Sequence, residues 1–243
     1  MTTTIDEIDD GIFRIATFVP EAGISFNQML IRADEPMLFH LGMRALFPAV
    51  SEAVATVLPL DQLRWLSFGH VEADECGAMN LWLGAAPNAQ VAFGGLGCMV
   101  SVNDLADRPP VPLDDEDVLD LGGKQLRYLA TPHVPHGWDA GVFFEETTST
   151  LLCGDLFTQI GDGPPTSDDS PMSGAVEAEQ AFGYTAGAPH TTTVLESLAD
   201  LEPTTLALMH GSAHHGPGDA WLRELAEFYR TRSSHDSGAS QPA

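Results

Sequence analysis

The sequence predicts an α/β layered fold, and three observations carry the prediction. Short runs rich in β-branched and aromatic residues alternate with stretches of helical periodicity. Clusters of Gly, Pro and Asp punctuate them, and the residues able to do chemistry fall where the apolar runs end. At 243 residues, 44% of them hydrophobic, the chain is long enough for a sizeable core, and no linker or internal repeat divides it, so residues 1–243 are read as one domain.

The elements follow in order. "GIFRIATF" and "FNQMLIRA" read as strands, and "EPMLFHLG" after an Asp-Glu-Pro turn reads as a third. "RALFPAVSEAVATVL" has apolar residues at helical spacing, and "RWLSFGH" is a strand that ends at His70. "NAQVAFGG" and "GKQLRYLATP" are strands, while "AGVFFEE" and "STLLCGD" around a Thr/Ser turn form a hairpin. Residues 158–190, rich in Pro, Gly, Ser and Asp at first and weakly helical later, read as an insertion or lid. "TTTVLESLADL" is a helix, "TTLALMH" a strand ending at His210, and "GDAWLRELAEFYRT" an amphipathic helix; the tail 233–243 is expected to fray.

Composition excludes several classes of function. The chain has 35 acidic residues against 10 basic ones, with Lys124 the sole lysine and a net charge of -25. Nucleic acid and anionic membrane surfaces need Lys/Arg patches and are not expected as partners. Three cysteines without CxxC spacing give neither a disulfide framework nor a zinc ribbon. "MTTTIDEIDDG" lacks the order of a signal peptide and no apolar run reaches membrane-spanning length, so a reducing cytoplasm is the default expectation.

Four segments carry candidate chemistry. "GHVEADECG" places His70, Glu72, Asp74 and Glu75 after a strand; "TPHVPHGWDAG" holds His133 and His136 in a loop; "CGDLF" puts Asp155, and "LMHG" His210, just beyond strands. Strand ends at one edge of a layered sheet are where such side chains converge. Alone, "HVEADE" reads equally as a solvated acidic loop. The ordered set of four does not.

This set resembles the metallo-β-lactamase superfamily, whose signature is HxHxDH after a strand, then a loop His, a bridging Asp and a C-terminal His. The resemblance covers roughly residues 10 to 215 and implies an αββα sandwich, two β-sheets flanked by helices. Glu72 at the third position is similar to the β-lactamase-like domain of flavodiiron proteins and to free-standing oxygen-binding diiron proteins. That likeness implies two iron ions in place of zinc, and a carboxylate, a hard anionic donor, suits Fe(II)/Fe(III) better than an imidazole does.

Carried over residue by residue, the resemblance implies that His70, Glu72 and His136 hold one metal, Asp74 and His210 the other, and that Asp155 bridges them. His136 is preferred to His133 because the flavodiiron ligand lies three residues before an Asp, as His136 does before Asp139; His133 would line the pocket. Glu75 stands where the family has His, and is either a carboxylate ligand or turned to solvent. His214 and His215 read as a solvated loop.

The function so implied is binding of O2 at a diiron centre, to sense it or to reduce it. No Gly-rich phosphate loop is present, so no internal FMN is expected and electrons would come from a separate donor. The alternative is a binuclear metallohydrolase, with zinc or iron, that cleaves an ester, lactone or phosphodiester substrate through a bridging hydroxide. Whether the protein is an enzyme stays open at this point, and related domains imply a homodimer.

Overall fold

Alternation along the strands decides which side chain enters which layer. In the computed structural model of the protein, which describes residues 2–238, the first half folds as β1 (Thr2–Asp9), β2 (Ile12–Val19), β3 (Ile24–Ile31), β4 (Met37–Phe39), α1 (Phe47–Ala55), β5 (Trp65–Ser67), α2 (Ala73–Cys76), α3 (Met79–Ala85), β6 (Gln90–Gly94) and β7 (Val111–Leu113). Between β6 and β7, α4 (Gly95–Gly97) and α5 (Asn103–Leu105) flank a π-helical turn at Cys98–Val102. The second half supplies β8 (Val118–Asp120), β9 (Gln125–Ala130), β10 (Gly141–Glu145), β11 (Thr150–Leu152), β12 (Thr166–Ser167), α6 (Met172–Phe182), α7 (Thr191–Ala199), β13 (Thr205–Ala207), β14 (Ala213–His215) and α8 (Gly218–Gly238).

These strands form two seven-stranded sheets, ordered β1-β2-β3-β4-β5-β6-β7 and β12-β14-β13-β11-β10-β9-β8. Period-two alternation sends Ile12, Met29, Ile31, Met37 and Phe39 of the first sheet against Tyr128, Phe143, Leu152 and Ala207 of the second. The residues between them point outward. Phe13, Ile15, Leu30, Leu38, Leu66 and Phe93 meet Val50, Val54 and Trp82 of α1 and α3. Phe144, Leu151 and Leu206 meet Leu195, Leu198, Leu222 and Leu225 of α7 and α8. The result is the αββα sandwich, with apolar layers on both faces of each sheet.

Strand direction places the site. β4, β5 and β6 are parallel neighbours, as are β11 and β13, so the chain leaves several of them at a shared edge. The two sheets are stitched there by backbone bonds: Gly141 N–H donates to Gly69 O at 2.8 Å and Asn27 N–H to Met209 O at 3.0 Å.

Some elements differ from the sequence reading. The acidic N-terminus is the edge strand β1, whose Thr3 and Ile5 alternate with more exposed neighbours in too shallow a pattern to register as a buried strand. Within 158–190, β12 pairs with β14, and α6 is a helix of 11 residues that ends at Gly183 in a left-handed conformation. "AHH" is strand β14, which corrects the solvated loop: Gln159 and the Asp169 carbonyl hydrogen-bond the buried His214. The helix α8 continues to Gly238, and residues 239–243 of the tail expected to fray lie outside the described residues. No helix among the described residues is long and apolar enough to cross a membrane.

Candidate metal centre

The first ligand segment leaves β5, turns through Gly69 and His70, and enters α2 with Asp74 and Glu75 in its first turn. Carboxylates suit that position, where free amides carry partial positive charge. The turn is tied to the His136 loop, since Val71 N–H donates to Asp139 Oδ2 at 3.1 Å. Gly137, with φ +81°, passes so near that a Cβ on it would lie 3.0 Å from His70 Cβ; glycine permits both the conformation and the approach.

On this frame four side chains meet. His70 Nε2 lies 2.8 Å from Glu72 Oε2 and 3.8 Å from Asp155 Oδ2, and His136 Nε2 lies 3.3 Å from each of the same two oxygens. Donor atoms sharing one metal at bonds of about 2.1 Å in tetrahedral array would be about 3.4 Å apart. One ligand atom from each of the four falls within 4.8 Å of the others, a group able to hold a cation.

Asp155 also faces a second set. Its Oδ1 lies 3.4 Å from His210 Nε2, which is itself 3.5 Å from Asp74 Oδ2. His210 is oriented from behind: its Nδ1 lies 2.9 Å from the Ser25 carbonyl, so Nδ1–H donates there and Nε2 is left to accept a metal. Asn27 holds the turn itself, donating from Nδ2 to Leu208 O at 2.8 Å and to Gly211 O at 2.7 Å, and Arg14 Nε donates to Gly211 O at 3.0 Å. At Gly211 φ is +119° and a Cβ would sit 2.6 Å from Gln159 Oε1.

The electrostatics are those of a site built around positive charge. Burial works to lower the His70 and His210 values, yet His70 is raised to about 9 by Glu75, Asp155 and Glu72, and His210 to about 10 by Asp155 and Asp74. Burial favours a neutral Asp155, but the three facing histidines hold it below the ordinary carboxylate range. Among the described residues no Lys or Arg pairs with Glu72, Asp74 or Asp155, and the buried Asp155 Oδ1 has no hydrogen-bond partner. Three carboxylates and three imidazoles with such an orphaned oxygen fit a pair of divalent cations.

Glu75 is turned neither to solvent nor to the His136 side. It is fully buried, accepts Gly69 N–H at 2.7 Å through Oε2, and sets Oε1 3.7 Å from His70 Nδ1, the side of the imidazole opposite Glu72. Its other neighbour is His40, 3.6 Å away, which also touches Met209 Sδ. Burial raises Glu75 to about 8 and lowers His40 to about 3.

His40 has no motif around it in the sequence, although it follows β4 as His70 follows β5, and that strand-end position is the available signal. Tyr184 had none: it lies in a loop, yet its ring centroid is 6.0 Å from that of His136. His133 is exposed, with its ring 6.3 Å from that of His190.

Comparison with known proteins agrees with this architecture. The family model described as ODP family beta lactamase matches residues 24–211. Diflavin flavoprotein A 1 of Nostoc sp. PCC 7120 is 25% identical over 202 residues, covering 80% of this chain and 34% of that protein. Diflavin flavoprotein A 2 of Synechocystis sp. PCC 6803 is 24% identical, covering 82% and 36%. The chain thus spans about a third of the length of these relatives. Among solved structures, rubredoxin oxygen:oxidoreductase from Desulfovibrio gigas superposes with a TM-score of 0.80 at 20% identity, covering 92% of this chain and 62% of that one. The apo state of the chemotaxis sensor ODP from T. denticola gives 0.72 at 19% identity, covering 93% and 94%. A fold of two helix-flanked sheets and a family match over most of its length give one conclusion: the chain belongs to the ODP family of beta lactamases and shares the fold of these solved structures.

Proposed function

We propose that the protein is a non-haem diiron protein that binds O2 and exchanges electrons with a separate donor. The observation that carries the reading is Asp155, whose two carboxylate oxygens face different histidines, His136 on one side and His210 on the other. His70, Glu72 and His136 would hold one iron, Asp74 and His210 the second, with Asp155 shared. When bound, the irons supply the electrons that O2 accepts, a role closed to zinc.

The residues divide the work between holding and opening. Asp155 and His210 are buried and fix the metal positions, whereas Glu72 and His136 retain 54% and 27% side-chain exposure and form the face through which a small molecule enters. Glu72 supplies the hard donor that favours iron. The relatives include an oxygen:oxidoreductase and a chemotaxis sensor, and reduction and sensing both begin with the same binding step.

The test is metal content followed by oxygenation. Protein from cells supplied with both metals is analysed for iron and zinc, reduced without air, and exposed to O2. Two irons per chain and a visible band on oxygenation are expected. Stoichiometric zinc with esterase activity would overturn the proposal in favour of the hydrolase.

A further inference from the structure

A cavity of 570 Å³, whose lining shares no residue with the metal centre, is walled by α6, α7, α8 and the segment 185–189. Its volume falls within the range of small-molecule sites. Four features of its lining can donate hydrogen bonds, beside one carboxylate, Glu179. The N-terminus of α7, a helix of nine residues with no acidic side chain in its first turn, opens at Thr191 and Thr192; Thr191 N–H donates to the Ala188 carbonyl at 3.0 Å, which leaves the Thr192 amide to carry the partial positive charge of the helix end toward the cavity. Thr191 is 3% exposed, and its hydroxyl has no hydrogen-bond partner. Arg230 and Arg232 complete the wall, two of only ten basic residues in a chain of net charge -25.

Both guanidiniums are already oriented by carboxylates. Arg232 Nη1 lies 2.8 Å from Glu179 Oε1; Arg230 Nη2 lies 2.7 Å from Glu196 Oε1, and its Nη1 pairs with Glu227 Oε2. Each guanidinium has five N–H donors, so these pairs leave others free. The buried Thr191 hydroxyl needs a partner.

We propose that this cavity binds a small molecule bearing an oxyanion, a carboxylate or a phosphate, through Arg232, the Thr191 hydroxyl and the Thr192 amide, and that His136 senses its occupancy. The second half rests on the metal-site reading of His136; the first does not. The path is short. Ala186 N–H, from the cavity wall, donates to Pro135 O at 2.7 Å, and His190 Nε2–H donates to Pro132 O at 2.6 Å, so the wall and the His136 loop are bonded together. Within the wall, Tyr229 is hydrogen-bonded to Thr185 and to Tyr184, and Tyr184 packs its ring against His136. The Thr185 proton serves Glu179 Oε2 at 2.8 Å, so Tyr229 donates to Thr185, and the chain of hydroxyls ends on the carboxylate that orients Arg232.

Calorimetric titration of the full chain with inorganic phosphate, succinate and the neutral succinamide, at constant ionic strength, tests the site. Saturable binding of phosphate or succinate, and none of succinamide, is expected; which of the two binds identifies the headgroup. Arg232→Gln should weaken it at least about tenfold and Thr191→Val about threefold, with unchanged circular dichroism. No saturation by about 10 mM, or equal affinity in both variants, overturns the site. Coupling is read from the His136 imidazole resonances of metal-free protein, which should shift on saturation in the wild type and by less in Tyr184→Phe, which still binds and keeps the backbone bonds. Resonances that stay put in the wild type overturn the coupling, and none of these readouts depends on iron.

Discussion

Asp155 Oδ1 lies 3.4 Å from His210 Nε2, while its Oδ2 lies 3.3 Å from His136 Nε2, so one carboxylate joins two histidines that lie 74 residues apart in sequence. Asp155→Asn is expected to lower the affinity of both metal positions by at least about 100-fold, since a shared ligand outranks the outer partners whose loss costs 10- to 100-fold. His210→Ala should empty one position and leave the other. Metal analysis after dialysis separates the two patterns, and equal losses in both variants would speak against a bridging role.

Glu75 stands behind His70 and not beside Glu72. Its Oε1 lies 3.7 Å from His70 Nδ1 without a hydrogen-bond partner and acts on the imidazole through its charge, so Glu75→Gln should keep the stoichiometry of two metals and weaken retention by about tenfold in a chelator competition. Loss of a whole equivalent would show that Glu75 is a ligand.

The pH dependence of the metal-free protein has a defined sign. His70, raised from 6.5 to about 9, and His210, raised to about 10, bind protons more tightly folded than unfolded. Their contribution is full below pH 6.5 and is lost as pH rises through those values. Glu75, raised from 4.5 to about 8, acts in the same direction. Asp74 and Asp155, held below their ordinary 3.8, lose their contribution only as pH falls below that value. The melting temperature without metal should therefore fall from pH 7 to 10, and the profile of the loaded protein should be flatter because metal replaces the protons. A metal-free protein that gains stability over this range would contradict the assignment.

Asn27 ties the His210 turn to β3 through two carbonyls. Asn27→Ala takes the side-chain donor from Leu208 O and leaves Gly211 O with Arg14 Nε alone, and should cost about 1–3 kcal/mol in denaturant unfolding. The same change should reduce occupancy of the His210 metal position more than that of the His136 position.

Much of the sandwich was legible because its strands carry strict alternation. In β10, Phe143 faces the other sheet and Val142 and Phe144 face the helices, and a run so apolar on both sides can only be an interior strand. The strand β1 was not legible and the helix α6 only weakly so: the first is a half-exposed edge, and the second is short, with Met172, Ala175 and Ala178 as its apolar contacts. Their structure comes from neighbours, β2 for the one and α8 for the other.

By itself the sequence determined the layered α/β class, the order of the candidate ligands and the substitution of Glu72 for an imidazole, because these depend on residue type and on where each apolar run stops. Only the tertiary structure decided how Asp155 divides its oxygens, that Glu75 lies buried between His40 and His70, and that Tyr184 touches His136. Each of those is a distance between segments far apart in the chain or a direction taken by a side chain within a turn. No periodicity records either, since the positions are set by the packing of one sheet on the other.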